Sequence, residues 1–169
     1  PICVKHFAAN NQEFDRHRIS ADIDERPLWE IYLRGFQWVV AQASPWMLMT
    51  SYNRLNGTYT DESRWLLGDV LKGECGYDGV VVSDWGAVYN PTAAVRAGLD
   101  LRMPGRPDDD TVHQAAQDGE IPIERLDDVV DRLRRLAGRV RFDRGDAIDE
   151  TQHHALSRLD GTHRVGCAL

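Results

Sequence analysis

This sequence predicts an α/β fold, a parallel sheet covered by helices, and three observations carry the prediction. The first is Gly79-Val-Val-Val-Ser-Asp-Trp-Gly86, an apolar β-branched run without alternation, which suits a strand buried on both faces. The second is that β-type and helix-type runs alternate four times along the chain. The third is the clustering of polar residues just beyond each predicted strand, where parallel α/β folds place their chemistry. Four such units fit half of an eight-unit barrel and one small open sheet equally well. At 169 residues, with 42% hydrophobic and 28% charged content, the chain can bury the core of an ordinary globular domain.

The elements follow in order. The run 2–7 is a short strand, and a polar loop leads from it to a helix over 27–42. In that helix Leu28, Ile31, Tyr32, Phe36, Val39 and Val40 recur at helical spacing. Asp24 is placed to cap it, and Pro27 falls in the first turn, where its missing N–H costs little. A second strand spans 46–52 and turns through Asn53-Arg-Leu-Asn-Gly57. A helix over 62–72 follows and ends near Gly73 or Gly76. The third strand is 80–83, then a short helix over 92–97 that Gly98 terminates. Leu99 to Met103 reads as a fourth strand, closed by Pro104-Gly105. A helix over 109–118 comes next. The last helix, led by Pro122, carries Ile123, Leu126, Val129, Val130, Leu133, Leu136, Ala137 and Val140 on one face. Beyond Arg141 the periodicity is lost and the chain turns polar, so a poorly ordered tail is expected over 142–169.

Composition excludes several classes of partner. With a net charge of -7 there is no basic stripe to neutralise a nucleic-acid backbone. Asp131-Arg-Leu-Arg-Arg135 is interleaved with acids and apolar residues and reads as a solvated helix face. Cys3, Cys75 and Cys167 are odd in number and widely spaced, which suits neither a disulfide framework nor a zinc site. No apolar run approaches the roughly 20 residues needed to span a bilayer. The chain begins Pro-Ile-Cys rather than with Met, as a piece cut from a longer protein would.

The polar groups beyond the strands are Lys5 and His6, with Asn10, Asn11, Gln12, Glu13 and Arg16 in the first loop; then Tyr52 and Asn53; then Asp84 and Trp85. If the strands are parallel neighbours, these groups meet on one rim. Lys, His and Arg donors beside an indole suit a sugar, whose hydroxyls accept hydrogen bonds and whose C–H faces stack on aromatic rings. Each residue also has a plainer reading. Lys5 and His6 fit a solvated strand end, Arg16 a surface pair with Asp15, Tyr52 and Trp85 a core, and Asp84 a cap on the next helix. A single carboxylate is not enough for glycoside hydrolysis, which needs two.

Five motifs in order resolve these alternatives: Cys3-Val-Lys-His-Phe-Ala-Ala-Asn-Asn-Gln-Glu13; Asp24-Glu-Arg-Pro-Leu-Trp-Glu-Ile-Tyr-Leu33; Met49-Thr-Ser-Tyr-Asn53 with Asn56-Gly57; Gly79-Val-Val-Val-Ser-Asp-Trp-Gly-Ala87; and Ala97-Gly-Leu-Asp-Leu-Arg-Met-Pro-Gly105. Together they resemble glycoside hydrolase family 3, in particular its β-glucosidase and β-xylosidase members. The β-N-acetylhexosaminidase branch has a Lys-His-Phe-Pro-Gly-His-Gly type of loop, and Lys5-His-Phe-Ala-Ala-Asn-Asn11 departs from it.

The resemblance implies the second half of a (β/α)8 TIM-type barrel over 1–141, with 142–169 a tail or the start of a linker to a second domain. It implies retaining release of a terminal β-D-glucosyl or xylosyl residue from a β-glucoside or short β-linked oligosaccharide, with no metal or organic cofactor. By the resemblance Asp84 is the nucleophile, Lys5 and His6 hold substrate hydroxyls in the first subsite, Arg16 matches a substrate-binding arginine ten residues beyond that His, Tyr52 the tyrosine near the nucleophile, and Trp85 the aromatic that lines the site. The general acid/base is implied to be a Glu of the second domain, so the chain by itself is expected to be inactive unless Glu13 or Asp100 substitutes for it. The alternative is a catalytically silent remnant that binds sugar weakly. Half a barrel is also expected to self-associate through its exposed edges.

Overall fold

The computed structural model describes residues 2–106 and 109–140. Its strands are β1 (Cys3–Phe7), β2 (Ser20–Ala21), β3 (Met47–Thr50), β4 (Arg54–Leu55), β5 (Thr58–Tyr59) and β6 (Val80–Val82). Helix α1 runs over 25–43 and is π-wound at Leu28–Leu33; α2 (Trp65–Glu74) is π-wound throughout. Helices α3 (Pro91–Ala97), α4 (Thr111–Gln117) and α5 (Ile123–Val140) complete the series. The tail expected over 142–169 lies outside the described residues.

The main sheet is parallel, in the order β1-β3-β6, so sequential strands are neighbours. Met47 stands opposite Cys3 on one side and Val80 on the other, and Leu48 likewise opposite Val4 and Val81. The register shifts between Val4 and Phe7, where the Lys5–His6 and Phe7–Ala8 peptide bonds are cis. All three valines of β6 are buried, as the unbroken apolar run predicts. Against the sheet pack Leu28, Leu33 and Val40 of α1, with Phe36 edge-on to Phe7 at 5.0 Å between ring centres. From α2 come Leu66, Leu67, Val70 and Leu71.

Several expected boundaries move, each for a local reason. Asp24 does occupy the helix start, but its side chain makes no capping bond; its carbonyl accepts the Leu28 N–H at 3.1 Å instead. The helix expected from 62 begins at Trp65, because the Ser63 hydroxyl takes the Leu66 N–H and frees Glu62 to accept from the Asn90 N–H. Asn90 caps α3 through the Ala93 N–H at 3.0 Å, and Gly98 ends it with φ 132°. A Cβ on Gly98 would meet Leu67 Cβ at 2.9 Å, so a close helix approach requires glycine there.

The fourth strand expected at 99–103 shortens to one parallel bridge, Leu101 to Val82. Side chains end the ladder on both sides: the Ser83 hydroxyl accepts the Met103 N–H at 2.8 Å beyond the bridge, and Asp100 acts before it. The carboxylate Oδ2 accepts the Val81 N–H at 2.8 Å, taking the donor that a backbone carbonyl would otherwise use. The other oxygen accepts from Lys72 Nζ at 2.7 Å and Arg125 Nη2 at 2.6 Å, and the Asp100 side chain is fully buried.

The turn expected over 53–57 is a whole hairpin, β4–β5, closed by Asn56 (φ 48°) and Gly57 (φ 86°). Both residues lie in the left-handed region, the Asn-Gly pattern of a type I′ turn. β2 adds in parallel to β4, making a second three-stranded sheet. The Asn56 side chain bonds both backbone groups of Ile23, at 2.7 and 3.0 Å. The hairpin thereby holds down the long loop that follows β1.

Two stability predictions follow from buried acids. Asp100→Ala leaves the Val81 N–H without its acceptor and Lys72 and Arg125 with Asp128 alone as their shared acid, and should cost about 3–5 kcal/mol, read from urea unfolding of the chain. Asp61, 1% exposed and with Oδ2 unpartnered, is held protonated by burial and by the Glu62 charge, its pKa raised from 3.8 to about 7. The folded state keeps this proton where the unfolded state has lost it, so stability should fall as pH rises from about 4 to 7 and level off above. Thermal unfolding at several pH values should show Asp61→Asn losing that part of the slope.

Candidate active site

Asp84 emerges just past β6, at the C-terminal edge of the parallel sheet. Its Oδ1 accepts the Trp85 N–H at 2.7 Å, which leaves Oδ2 pointing across the rim, 3.3 Å from His6 Nε2. His6 comes from the C-terminal part of β1, so two strands separated by β3 bring these groups together. The Asp84 side chain is 13% exposed and that of His6 31%. This carboxylate opens to the rim and does not sink into the core.

Tyr52, two residues beyond β3, completes the junction. Its hydroxyl donates to the Trp85 carbonyl at 2.8 Å. Burial and the nearby Asp84 charge raise its pKa, so the phenol stays a proton donor. Arg16 lies over the Tyr52 ring at 4.5 Å, and its guanidinium pairs with Glu13 at 2.7 Å. The plainer reading of Arg16 as a member of a surface ion pair holds with Glu13 as its partner, since Asp15 binds Arg18 instead. Trp85 is 63% exposed, which rules out the core reading for its indole. Lys5 is exposed next to His6 and has no ion pair among the described residues.

His6 is neutral at neutral pH. Burial lowers its pKa from 6.5; Asp84 opposes the shift, and the Lys5 charge reinforces it. A neutral imidazole beside a carboxylate is a directional hydrogen-bonding group for a ligand.

The structure adds residues that the sequence does not single out. The His17 ring packs at a tilt against Tyr52, 4.4 Å between ring centres, and the Tyr89 hydroxyl reaches His17 Nδ1 at 3.3 Å. Tyr89 in turn packs on Tyr59 of the hairpin at 4.6 Å. The Asn-Gly turn signal was available in the sequence, but the packing of its flanking tyrosine against a residue 30 positions later was not. A cavity of about 260 Å³ lies beside the same loop, lined by Asn11, Gln12, Tyr32 and Asn53, and none of the Asp84 group lines it. Asp100 is fully buried and bound on both oxygens, which corrects the suggestion that it can act as a proton donor to substrate. Among the described residues no group of three or more His, Cys, Asp or Glu side chains is arranged to hold a metal ion.

The semi-exposed carboxylate, the imidazole and the aromatic groups gather at the C-terminal rim of the parallel sheet, the end at which parallel α/β folds place their ligand sites. Residues 2–136 match the glycosyl hydrolase family 3 N terminal domain, and the chain belongs to that family. It is 46% identical over 161 residues to an exo-alpha-(1->6)-L-arabinopyranosidase of Bifidobacterium longum, covering 90% of this chain and 21% of the relative. The GH3 beta-glucosidase of Bifidobacterium adolescentis superposes with a TM-score of 0.79 at 46% identity, over 89% of this chain and 23% of that one. Beta-glucosidase 3B of Thermotoga neapolitana, solved in complex with glucose, gives a TM-score of 0.75 at 41% identity, over 80% and 20%. The chain thus spans about a fifth of the length of the relatives it matches.

The electrostatics predict a measurable titration. In the 169-residue chain His6 should titrate below the ordinary histidine range, followed by NMR of its imidazole protons. Asp84→Asn removes the charge that holds the pKa up, so the His6 midpoint should move lower still. A move upward would contradict the arrangement.

Proposed function

We propose that this chain carries the nucleophile side of a retaining glycoside hydrolase site, within the second half of a (β/α)8-type barrel. The observation that carries the reading is Asp84 itself: a carboxylate at the rim, one oxygen fixed by the Trp85 N–H and the other 3.3 Å from His6 at the accessible edge. In the first step Asp84 Oδ2 attacks the anomeric carbon. The bond from that carbon to the aglycone oxygen breaks, and that oxygen leaves with a proton from an acid/base group. Water then cleaves the glycosyl ester, returning the carboxylate and releasing a sugar of retained configuration.

The other rim groups have roles that follow from their chemistry. Lys5, His6 and Arg16 are donors for sugar hydroxyls, and Tyr52 borders the attacking carboxylate. Trp85 offers an open indole face to the pyranose ring. Donors fixed before the reaction stabilise the oxocarbenium-like transition state without reorganising. The β-glucosidase relatives support glucose as the glycone, and the arabinopyranosidase brings a pentose into consideration. The domain reading, residues 1–141 as barrel and 142–169 leading to a second domain that bears the acid/base, belongs to the same proposal.

The test is a chimera in which this chain replaces the matching segment of the Bifidobacterium longum relative, which supplies the remaining domains. Asp84→Asn should lower kcat on an aryl glycoside by roughly 10⁴-fold with little change in thermal stability. A 2-deoxy-2-fluoro-glycoside with a dinitrophenolate leaving group should esterify Asp84, located by peptide mass mapping. Near-normal turnover by the variant, or a label on another carboxylate, would sink the assignment. Aryl β-glucoside, β-xyloside and α-L-arabinopyranoside compared side by side should identify the glycone.

A further inference from the structure

On the outer wall of the domain a groove of about 420 Å³ runs between α2, α3 and α5. Five cations line it: Arg64 and Lys72 from α2 and the turn before it, Arg96 from α3, and Arg125 and Arg132 from α5. Against them stand Glu124 and Asp128 on the lining, Asp100 beneath Lys72 and Asp69 beside Arg64, a local balance of +1 in a chain whose net charge is -7.

Hydrogen bonding shows the same excess of donors. Asp100 is bound on both oxygens. Asp128 accepts from Arg125 at 2.8 Å and Lys72 at 3.3 Å through Oδ2, and from Arg132 at 2.7 Å through Oδ1. Their acceptors are committed, yet the cations still have donors to give. Arg96 is exposed and makes no hydrogen bond or ion pair among the described residues. Arg64 reaches only Asp69, at 3.7 Å, with its side chain 76% exposed. These two arginines also line an adjoining cleft together with Glu62, whose Oε1 is taken by the Asn90 N–H, so they face a common opening.

We propose that this groove binds a phosphate-class oxyanion, gripped by Arg64 and Arg96 and backed by the Lys72–Arg125–Arg132 cluster. Guanidinium groups bind the oxygens of such an anion in pairs. The groove has room for an organic group attached to the phosphate. Lys72 is already held below its ordinary pKa, by burial first and then by Arg125 and Arg132 against the pull of Asp100; a bound anion relieves that repulsion. The proposal is independent of the glycosidase reading, since it involves none of the Asp84 group.

The experiment is a ³¹P NMR titration of the 169-residue chain, at fixed ionic strength set by chloride. Inorganic phosphate is the first probe and glycerol 3-phosphate the second. Saturable binding in the millimolar range is expected, weakened about tenfold by Arg64→Gln with Arg96→Gln. Tighter binding of glycerol 3-phosphate would identify a phosphorylated small molecule as the occupant, and equal binding the free ion. No saturable binding beyond chloride, or binding that both substitutions leave unchanged, overturns the proposal. If the double variant fails to fold, Arg96→Gln gives the same reading by itself, because that side chain carries no structural bond.

Discussion

The placement of α5, and with it the base of the sheet, depends on the buried carboxylate of Asp100. An acid removed from water in this way is tolerated only when its oxygens are saturated and its charge is matched. Lys72 and Arg125 supply the charge, and the Val81 N–H takes the remaining oxygen. Arg125 goes on to bond the Val95 and Leu99 carbonyls at 2.8 and 2.7 Å, while Arg132 reaches those of Tyr77 and Gly79 at 2.9 and 2.8 Å. No side chain of α5 is fully buried, so its position owes as much to these charge-assisted bonds as to apolar contact.

A second constraint acts on the other side of the domain. The loop after β1 is long and polar, and nothing in its own sequence fixes its path. The β4–β5 hairpin fixes it from outside. Asn56 grips Ile23, β2 joins β4, and the Tyr59 hydroxyl bonds the His17 carbonyl at 3.1 Å. Thr60, immediately after the hairpin, bonds the Ser51 carbonyl at 2.7 Å, and the Ser51 hydroxyl donates to Ala8 at 3.1 Å. The ends of β1 and β3 are thereby tied together just where His6 and Tyr52 are presented. Arg16 and His17 reach the Tyr52 ring because of this scaffold, not because of local propensity.

What was legible in the sequence and what was not divides along the same line. β6, α1 and α5 could be read because burial imposes a period on local residues: unbroken for the two-faced strand, 3.6 for the helices. Asp84 could be placed because it follows such a strand. The hairpin had a local signal in Asn56-Gly57, stronger than the simple turn inferred from it. By contrast β2 is two residues long and has no pattern of its own. The shortening of the fourth strand was equally hidden, since it depends on Lys72 and Arg125, 28 and 25 residues from Asp100. Alternation at 99–103 suggests a strand; the side chain that displaces the ladder bond is visible only in three dimensions.

Asp84 and Asp100 show why a carboxylate's role cannot be read from its type. Both lie beside the same parallel strand, and both follow or precede short apolar runs. Asp100 sits next to Val81 with both oxygens committed and two cations against it, so it can neither attack nor transfer a proton without dismantling the packing of α5. Asp84 has one oxygen committed to its own neighbouring N–H and the other facing a neutral imidazole at an accessible rim. The network around Asp100 and Arg132 fixes the base of β6; the buried three-residue strand carries that fixed position to its far end. A carboxylate presented there is held by the scaffold but not consumed by it, which is the physical condition for a group that must meet a ligand.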